Sequence, residues 1–332
     1  MYVCFAASPI QLICFKEFVF KFKIDKYKIY ILSSVDPNVN VQLKKTIDFL
    51  NLKNIENISR SSSKLIQFFQ KYKFLLNLYK NHHNKNCIFV ISDFRNTILH
   101  QIRIIFKKSK FILIDDGAQI YKYHREYFQE NMYFPWRDFR NLLGKLKIFI
   151  NYGFNLKYLI NSNFEIFTIY GRELGLEEKN CNKFEYINNT FKLKSRYCES
   201  NVYFIGSKMA EQNYLTMEEE LESIKKVKNY WENFNKSLIY VAKRTTSKLK
   251  INLIEKKIGI NVITSDMPME LQFLNLNDTK VPKIICSFGS SVDKTFPMIY
   301  KNTQSYLIII NDLKKYQFFN NYFKLYEEIM FR

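Results

Sequence analysis

Short apolar runs alternate with stretches of helical periodicity along the first half of the chain. Val3 to Ala6 precedes the apolar-periodic stretch Ile10 to Phe22, and Tyr27 to Leu32 precedes a similar stretch, Val41 to Leu52. The short runs are typical of strands buried on both faces, and the longer stretches are typical of amphipathic helices. The pattern therefore predicts a βαβα order and a doubly wound parallel sheet.

A longer helix is predicted from Ser63 to Tyr79. Its apolar residues recur at helical spacing, among them Phe68, Tyr72 and Leu76. This periodicity is typical of a helix that lays one apolar face on a core.

The next apolar run, Phe111 to Ile114, ends at two adjacent carboxylates, Asp115 and Asp116, and at Gly117. Open α/β sheets place their ligands at the carboxyl ends of their strands. A partly desolvated carboxylate beside a second one suits proton transfer, because its pKa rises. A helix cap and a turn glycine would explain the same residues. The motif alone leaves both interpretations open.

A second alternation of strands and helices begins after Tyr197, and polar residues follow four of its strands. Cations and hydroxyls at such positions can hold phosphate, and a carboxylate can accept ribose hydroxyl groups. Taken singly, each residue could be a solvated charge or a helix cap. Their joint order indicates a nucleotide-sugar site. The residues are Gly206 with Glu211, then Lys243 and Arg244, then Pro268 and Glu270, and finally Ser287, Ser290 and Ser291.

Two similar halves with polar strand ends predict an α/β protein of GT-B type. In this architecture, two Rossmann-like doubly wound parallel-sheet domains face a cleft. The length of 332 residues also fits two domains better than one.

The charge is strongly basic, since 51 lysines and arginines oppose 31 acidic residues and give a net charge of +20. Such a chain attracts nucleic acid, anionic lipid or phosphorylated substrates. No zinc-finger spacing, RNP-like motif or heptad-linked basic region occurs, so a nucleic-acid partner is not expected. Residues 133–158 mix aromatic and basic side chains. They predict either an ordinary surface helix or a patch that rests on a membrane interface.

The six cysteines show no CxxC pair or metal-ligand spacing, which indicates reduced core residues in a cytosolic protein. The N-terminal segment MYVCFAASPIQ lacks a basic region and fits a first strand better than a signal peptide. No apolar run approaches the ~20 residues of a spanning helix. We therefore expect a cytoplasmic protein, with peripheral contact to the anionic inner membrane as an option.

Several segments in order resemble one enzyme family. They are VCFAASPIQLI, FILIDDG, IGSKMAE, IYVAKRTTSKLK, SDMPMEL and SFGSS, which together span Tyr2 to about Tyr300. The chain resembles glycosyltransferase family 52, the bacterial sialyltransferases of lipooligosaccharide and capsule synthesis. It is more distantly similar to the bacterial polysialyltransferases.

The resemblance implies transfer of sialic acid, or a related nonulosonic acid, from a CMP donor to a glycan hydroxyl, with inversion and without a metal or other cofactor. Asp115, Asp116 and Glu211 become rival catalytic bases. The loop of Lys243 and Arg244 would hold the CMP phosphate. The remaining donor residues would be Gly206, Pro268, Glu270 at the ribose, Ser287, and Ser290 with Ser291 at the phosphate or donor carboxylate. Ser8, Gln11 and Gly117 would lie on the acceptor side.

The chain departs from the pattern of this family at Lys243, which occupies a position where related sequences usually have histidine. A lysine can protonate the leaving phosphate only with a strongly lowered pKa, but as a cation it can stabilise charge that develops on CMP. Three explanations of the lysine are open. The mechanism relies on electrostatic stabilisation, the donor differs, or the enzyme is weakly active. The alternatives are therefore a GT-B enzyme that uses another CMP-nonulosonate or a UDP-sugar, and a non-catalytic protein that binds polyanions.

The expected domains follow from this organisation. Residues 1–195 form the acceptor-side domain and residues 196–310 the CMP-donor domain. Residues 311–332 are expected to form a C-terminal helix that packs back on the first domain.

Overall fold

The computed structural model describes residues 1–58, 63–93, 96–117, 119–124, 164–191, 196–274, 280–310 and 327–331. The aromatic and basic segment 133–158 lies outside these residues. The chain divides into two compact units, Met1–Tyr186 and Ile187–Arg332. Each unit contains a six-stranded sheet, and all strand pairings in the described part are parallel. The predicted fold class of two doubly wound parallel-sheet domains is confirmed.

The sheet of the first unit has the strand order β3-β2-β1-β4-β5-β6. Its strands are β1 (Tyr2–Ala6), β2 (Tyr27–Leu32), β3 (Ile55–Ile58), β4 (Ile88–Ile91), β5 (Lys110–Ile114) and β6 (Phe164–Phe167). The connecting helices are α1 (Pro9–Lys21), α2 (Pro37–Phe49), α3 (Lys64–His82), α4 (Thr97–Ile105) and α5 (Gln119–Tyr123).

Strand β1 lies at the centre of this sheet, where helices cover both faces. Its residues Val3 to Ala6 are fully buried, as expected for an uninterrupted apolar run in a parallel sheet. Helix α1 then begins at Pro9, whose fixed φ and missing N–H suit the first helical position. The predicted helix at Ile10 to Phe22 is therefore confirmed with a one-residue shift.

The second unit repeats the same strand order, here β12-β11-β10-β7-β8-β9. Its strands are β7 (Tyr197–Ile205), β8 (Ser237–Val241), β9 (Asn261–Ile263), β10 (Val281–Ser287), β11 (Gln304–Ile310) and β12 (Glu327–Phe331). The helices are α6 (Glu185–Thr190), which spans the boundary of the units, α7 (Met217–Glu232), α8 (Lys248–Leu253), α9 (Met269–Gln272) and α10 (Val292–Ile299). A π-helical turn, Ile254–Ile258, continues α8.

Helix α7 shows how local sequence sets an element of this unit. The Thr216 hydroxyl accepts the Glu219 N–H at 3.1 Å, and the Glu219 carboxylate accepts the Thr216 N–H at 2.7 Å, which forms a capping box. Ile224, Val227 and Trp231 then recur on one buried face of the helix and pack into the core of the second unit.

The predicted C-terminal helix is wrong for residues 327–331. These residues form β12, which pairs in parallel with β11 from Tyr306 to Ile310. The pairing supplies hydrogen-bond partners to the backbone of β11, whose outer edge would otherwise be open. This gain favours a strand over the helix that the sequence predicts. The other residues of the predicted helix, 311–326 and 332, lie outside the described part. The predicted cleft between the domains stays a prediction.

No helix in the described ranges is both long and apolar enough to cross a membrane.

Candidate functional site

In both units the strand order reverses at one point, between β1 and β4 and between β7 and β10. The loops that leave the two central strands run to opposite sides of the sheet, which opens a crevice at their carboxyl ends. Open α/β sheets bind ligands in such crevices. The predicted donor residues all belong to the carboxyl edge of the second sheet.

A tight turn follows β10 and leads into α10. Gly289 has a φ of +91°, which a side chain would strain, and its N–H donates to the Ser287 hydroxyl oxygen at 2.8 Å. The Ser287 hydroxyl and the Ser290 N–H donate to Oδ2 of Asp293 at 2.5 and 2.8 Å. Asp293 therefore fixes the turn that presents Ser290 and Ser291 at the start of α10.

Asp293 is fully buried, and its Oδ1 has no hydrogen-bond partner within the described structure. Burial raises the pKa of Asp293 to about 6, although the hydrogen bonds from Ser287 and Ser290 and the charge of Lys243 oppose the rise. A buried carboxylate with one unsatisfied oxygen thus lies at the switch point of this sheet, within the electrostatic influence of Lys243.

Lys243 and Arg244 follow β8 and are each partly buried. Burial lowers the pKa of Lys243, and the Asp293 carboxylate partly offsets this effect. Neighbouring cations lower the pKa further. They are Lys208, Arg244 and Lys250. Of these cations, Lys250 is paired with Glu220 and Glu211, so Lys208, Lys243 and Arg244 are the ones that favour an anionic ligand at the ends of β7 and β8.

Lys250 lies beneath the loop that follows β7. Its Nζ is fully buried and lies 2.7 Å from Oε1 of Glu220, 3.1 Å from Oε2 of Glu211 and 2.9 Å from the Ser207 carbonyl oxygen. Glu220 in turn accepts the Ser207 hydroxyl at 3.2 Å and the Ala210 N–H at 2.9 Å. One ammonium and one carboxylate, both at 0% side-chain exposure, thus hold the loop in place.

Gly206 begins this loop and has no room for a side chain. A Cβ atom there would lie 2.6 Å from the Tyr240 hydroxyl oxygen and 2.9 Å from the Val241 carbonyl oxygen. Close packing against β8 therefore requires glycine at this position. Glu211, predicted as a rival base, retains 28% side-chain exposure, but its carboxylate contacts Lys250.

Glu270 lies in α9 directly behind Pro268, as the sequence suggests, but only 5% of it is exposed. Its Oε1 accepts the Thr295 hydroxyl at 2.9 Å. Burial raises the pKa of Glu270, and hydrogen bonds and the charge of Arg244 oppose the rise. These contacts tie α9 to α10, so a role at the ribose stays a prediction.

In the first unit the two adjacent carboxylates have different surroundings. Asp115 is fully buried and accepts the Thr168 hydroxyl and, at 2.9 Å, the Ile169 N–H. Asp116 is half-buried, and its Oδ1 accepts a hydrogen bond from Nε2 of Gln11 at 2.7 Å. Asp115 therefore links the ends of β5 and β6, and Asp116 is the more accessible carboxylate.

The residues expected on the acceptor side lie around Asp116. The Oε1 atom of Gln11 accepts the Ala7 N–H at 2.6 Å, so Gln11 joins the end of β1 to the end of β5. Ser8 precedes α1, and its hydroxyl oxygen is buried without a hydrogen-bond partner in the described part. Gly117 is buried with a φ of +64°. Ser8, Gln11 and Asp116 are thus positioned by adjoining elements of one unit.

Sequence reasoning missed several charged residues of the second unit. Lys250 ends the basic segment IYVAKRTTSKLK and Glu220 follows two other glutamates at the start of α7, so neither stands out in the sequence. Asp293 directly follows the serine turn, and an Asp three residues after a serine could have signalled a capped turn. No group of three or more His, Cys, Asp or Glu residues in the described ranges is arranged to hold a metal ion.

Solved structures with a similar fold are UDP-N-acetylglucosamine 2-epimerases. The enzyme from Methanocaldococcus jannaschii in complex with UDP-GlcNAc and UDP is 12% identical with a TM-score of 0.52, and another structure of this enzyme is 14% identical with a TM-score of 0.51. Both matches cover 99% of this chain and 88% of the other. A putative epimerase from Listeria monocytogenes is 8% identical with a TM-score of 0.51, over 92% of this chain and 78% of the other.

No protein-family model matches the chain, and no curated protein matches it. The structural likeness concerns the fold alone. It shows that the two parallel-sheet domains are of the GT-B type.

The contacts of the two first-unit carboxylates predict different effects on stability. Asp115→Asn should lower the free energy of unfolding by about 2 kcal/mol, because the amide has a single acceptor oxygen and leaves one of the two buried donors, Thr168 or Ile169, without a partner. Asp116→Asn should change it by less than about 1 kcal/mol, since a half-exposed site can rehydrate. Urea denaturation of the two variants measures the difference. Equal losses would contradict the structural role of Asp115.

The buried ion pair gives a second prediction. Lys250→Met should destabilise the protein by roughly 3 to 5 kcal/mol, because Glu220 is left buried without its cation. Lys248→Met is the matched control, since Lys248 lies on the same helix and is exposed. Its effect should stay within about 0.5 kcal/mol. Similar denaturation midpoints for both variants would show that Lys250 does not hold the loop.

Proposed function

We propose that the protein is a GT-B glycosyltransferase that transfers sialic acid, or a related nonulosonic acid, from a CMP donor to a hydroxyl of a cell-surface glycan. The observation that supports this most is the carboxyl edge of the second sheet. There, the charges of Lys243 and Asp293 act on each other, Arg244 acts on Glu270, and Asp293 fixes the serine turn at the start of α10. The acceptor would be a lipooligosaccharide or capsular oligosaccharide.

The donor side of the reaction needs positive charge on the leaving phosphate. As the bond from the anomeric carbon to the phosphate oxygen breaks, CMP gains negative charge, which Lys243 and Arg244 can neutralise. The hydroxyl of Ser291 and the N-terminal end of α10 supply further donors for phosphate oxygens. We propose that these cations and hydrogen-bond donors stabilise the leaving phosphate without a metal or other cofactor.

Lys243 takes the place of the histidine that would protonate the leaving phosphate in related enzymes. Burial lowers the pKa of Lys243, and proton donation to the leaving phosphate would require this lowering to be strong. The charge of Asp293 opposes this shift and favours the protonated, cationic form of Lys243. We therefore assign Lys243 mainly to electrostatic stabilisation of the departing phosphate.

The acceptor side needs a base that takes the hydroxyl proton as the new glycosidic bond forms. Asp116 fits this role best, because Asp115 is fully buried and Glu211 contacts Lys250. Gln11, which donates to Oδ1 of Asp116, would orient the carboxylate. Because the Ser8 hydroxyl and Gly117 are buried, we expect them to shape the loops around Asp116 rather than to contact the acceptor.

A second candidate function uses a UDP-sugar. The epimerases of similar fold act on UDP-N-acetylglucosamine, as their names state, and one of them is bound to UDP-GlcNAc and UDP. The same cations and serine turn could hold a diphosphate. A non-catalytic protein that binds polyanions is the third possibility, since the chain carries +20.

Nucleotide selectivity distinguishes these functions. CMP at 100 times its Kd should stabilise the folded protein by about 2.7 kcal/mol, because it binds only that state. Thermal unfolding with CMP, UDP, GDP and a short oligonucleotide measures this. Stabilisation by UDP alone would contradict the assignment of a CMP donor and would support a UDP-sugar as the donor. Stabilisation by the oligonucleotide alone would favour polyanion binding.

Turnover of CMP-sialic acid with a panel of glycan acceptors tests the residue roles. Asp116→Asn should lower kcat by about 100-fold or more, as expected for loss of a general base, with little change in donor affinity. Lys243→Ala should raise the donor KM, lower kcat, or both, whereas the exposed Lys248→Ala serves as a control. If the Asp116→Asn variant keeps full activity and the Glu211→Gln variant loses activity, Glu211 is the catalytic base and the assignment of Asp116 is wrong.

A further inference from the structure

Helix α3 exposes a row of apolar and aromatic side chains in the first unit. Six large hydrophobic residues of this helix are between 36% and 63% exposed. They are six of the fifteen such residues in the described part of the chain. This group, the α3 face, consists of Ile66, Phe68, Phe69, Tyr72, Leu76 and Tyr79.

The α3 face occurs on a helix that is firmly packed. Phe74, Leu75 and Leu78 are 8%, 5% and 1% exposed and attach α3 to the first unit. The predicted periodicity from Ser63 to Tyr79 is therefore real, but Phe68, Tyr72 and Leu76 belong to the outward row. The ring centroids of Phe68 and Tyr72 are 4.6 Å apart and those of Phe68 and Phe69 are 5.8 Å apart, so these three rings form one aromatic cluster within the row.

The charge of α3 is entirely positive. The helix contains four lysines and neither aspartate nor glutamate. Lys73 and Lys80 are exposed, and on a helical projection they lie beside Phe69 and Leu76. An exposed aromatic and aliphatic stripe flanked by lysines is the pattern of helices that lie in a membrane interface.

We propose that the α3 face binds the surface of an anionic lipid bilayer. The aromatic and aliphatic side chains enter the boundary between headgroups and acyl chains, and the lysines contact the anionic headgroups. A protein interface would instead be expected to deplete lysine at its core. The inference does not depend on the donor or the reaction, because it uses only the composition and exposure of α3.

Vesicle binding tests this surface. The protein should co-sediment with phosphatidylglycerol vesicles and not with phosphatidylcholine vesicles, and salt should weaken the binding. Phe69→Ser with Leu76→Ser should reduce the affinity about tenfold or more, as should Lys73→Gln with Lys80→Gln.

Matched variants in the second unit serve as controls. Phe234 and Leu249 are 57% and 66% exposed, close to the 63% and 61% of Phe69 and Leu76. Phe234→Ser with Leu249→Ser, and Lys225→Gln with Lys226→Gln at exposed positions of α7, should leave vesicle binding unchanged. Circular dichroism checks that all variants fold.

Three results would overturn the inference. The first is equal loss of binding in the α3 and control variants. The second is no binding to anionic vesicles at all. The third is a dimer in sedimentation velocity that the Phe69→Ser, Leu76→Ser variant abolishes, since the α3 face would then be an interface between copies of the protein.

Discussion

Parallel strand pairing is the constraint on which the rest of this structure depends. It brings the carboxyl ends of all strands to one edge of each sheet, and the strand order 3-2-1-4-5-6 then separates the loops at one central position. Residues far apart in sequence, such as Lys243 and Asp293, come close enough there for their charges to influence each other. The candidate donor site follows from this arrangement and from the short polar segments at the strand ends.

Buried charges fix the loops at this edge. Lys250 and Glu220 are both removed from solvent and bind the loop after β7 through Ser207 and Ala210. Asp293 fixes the turn after β10 in the same way. Such groups cost free energy to bury, so their partners must be well placed. The result is a rigid pair of loops beside a partly buried lysine, which suits a site that stabilises charge as it develops.

The sequence predicted the sheets well because their strands are short apolar runs between helices of clear periodicity. It also placed the polar strand ends of the second unit, since these depend on local order alone. It could not separate Asp115 from Asp116, because Thr168 and Ile169, which engage Asp115, lie more than fifty residues away. Nor could it assign β12, which depends on pairing with β11. Periodicity predicted α3 but not that its apolar row faces outward, because burial depends on the neighbouring elements.

We propose that the crevice between β7 and β10 holds the nucleotide of a sugar donor. A crystal structure of the protein with CMP is the decisive experiment. We expect the phosphate at the start of α10, within hydrogen-bonding distance of Ser291 and in contact with Lys243 or Arg244. A nucleotide bound instead at the end of β1 in the first unit, or none at either crevice, would contradict it.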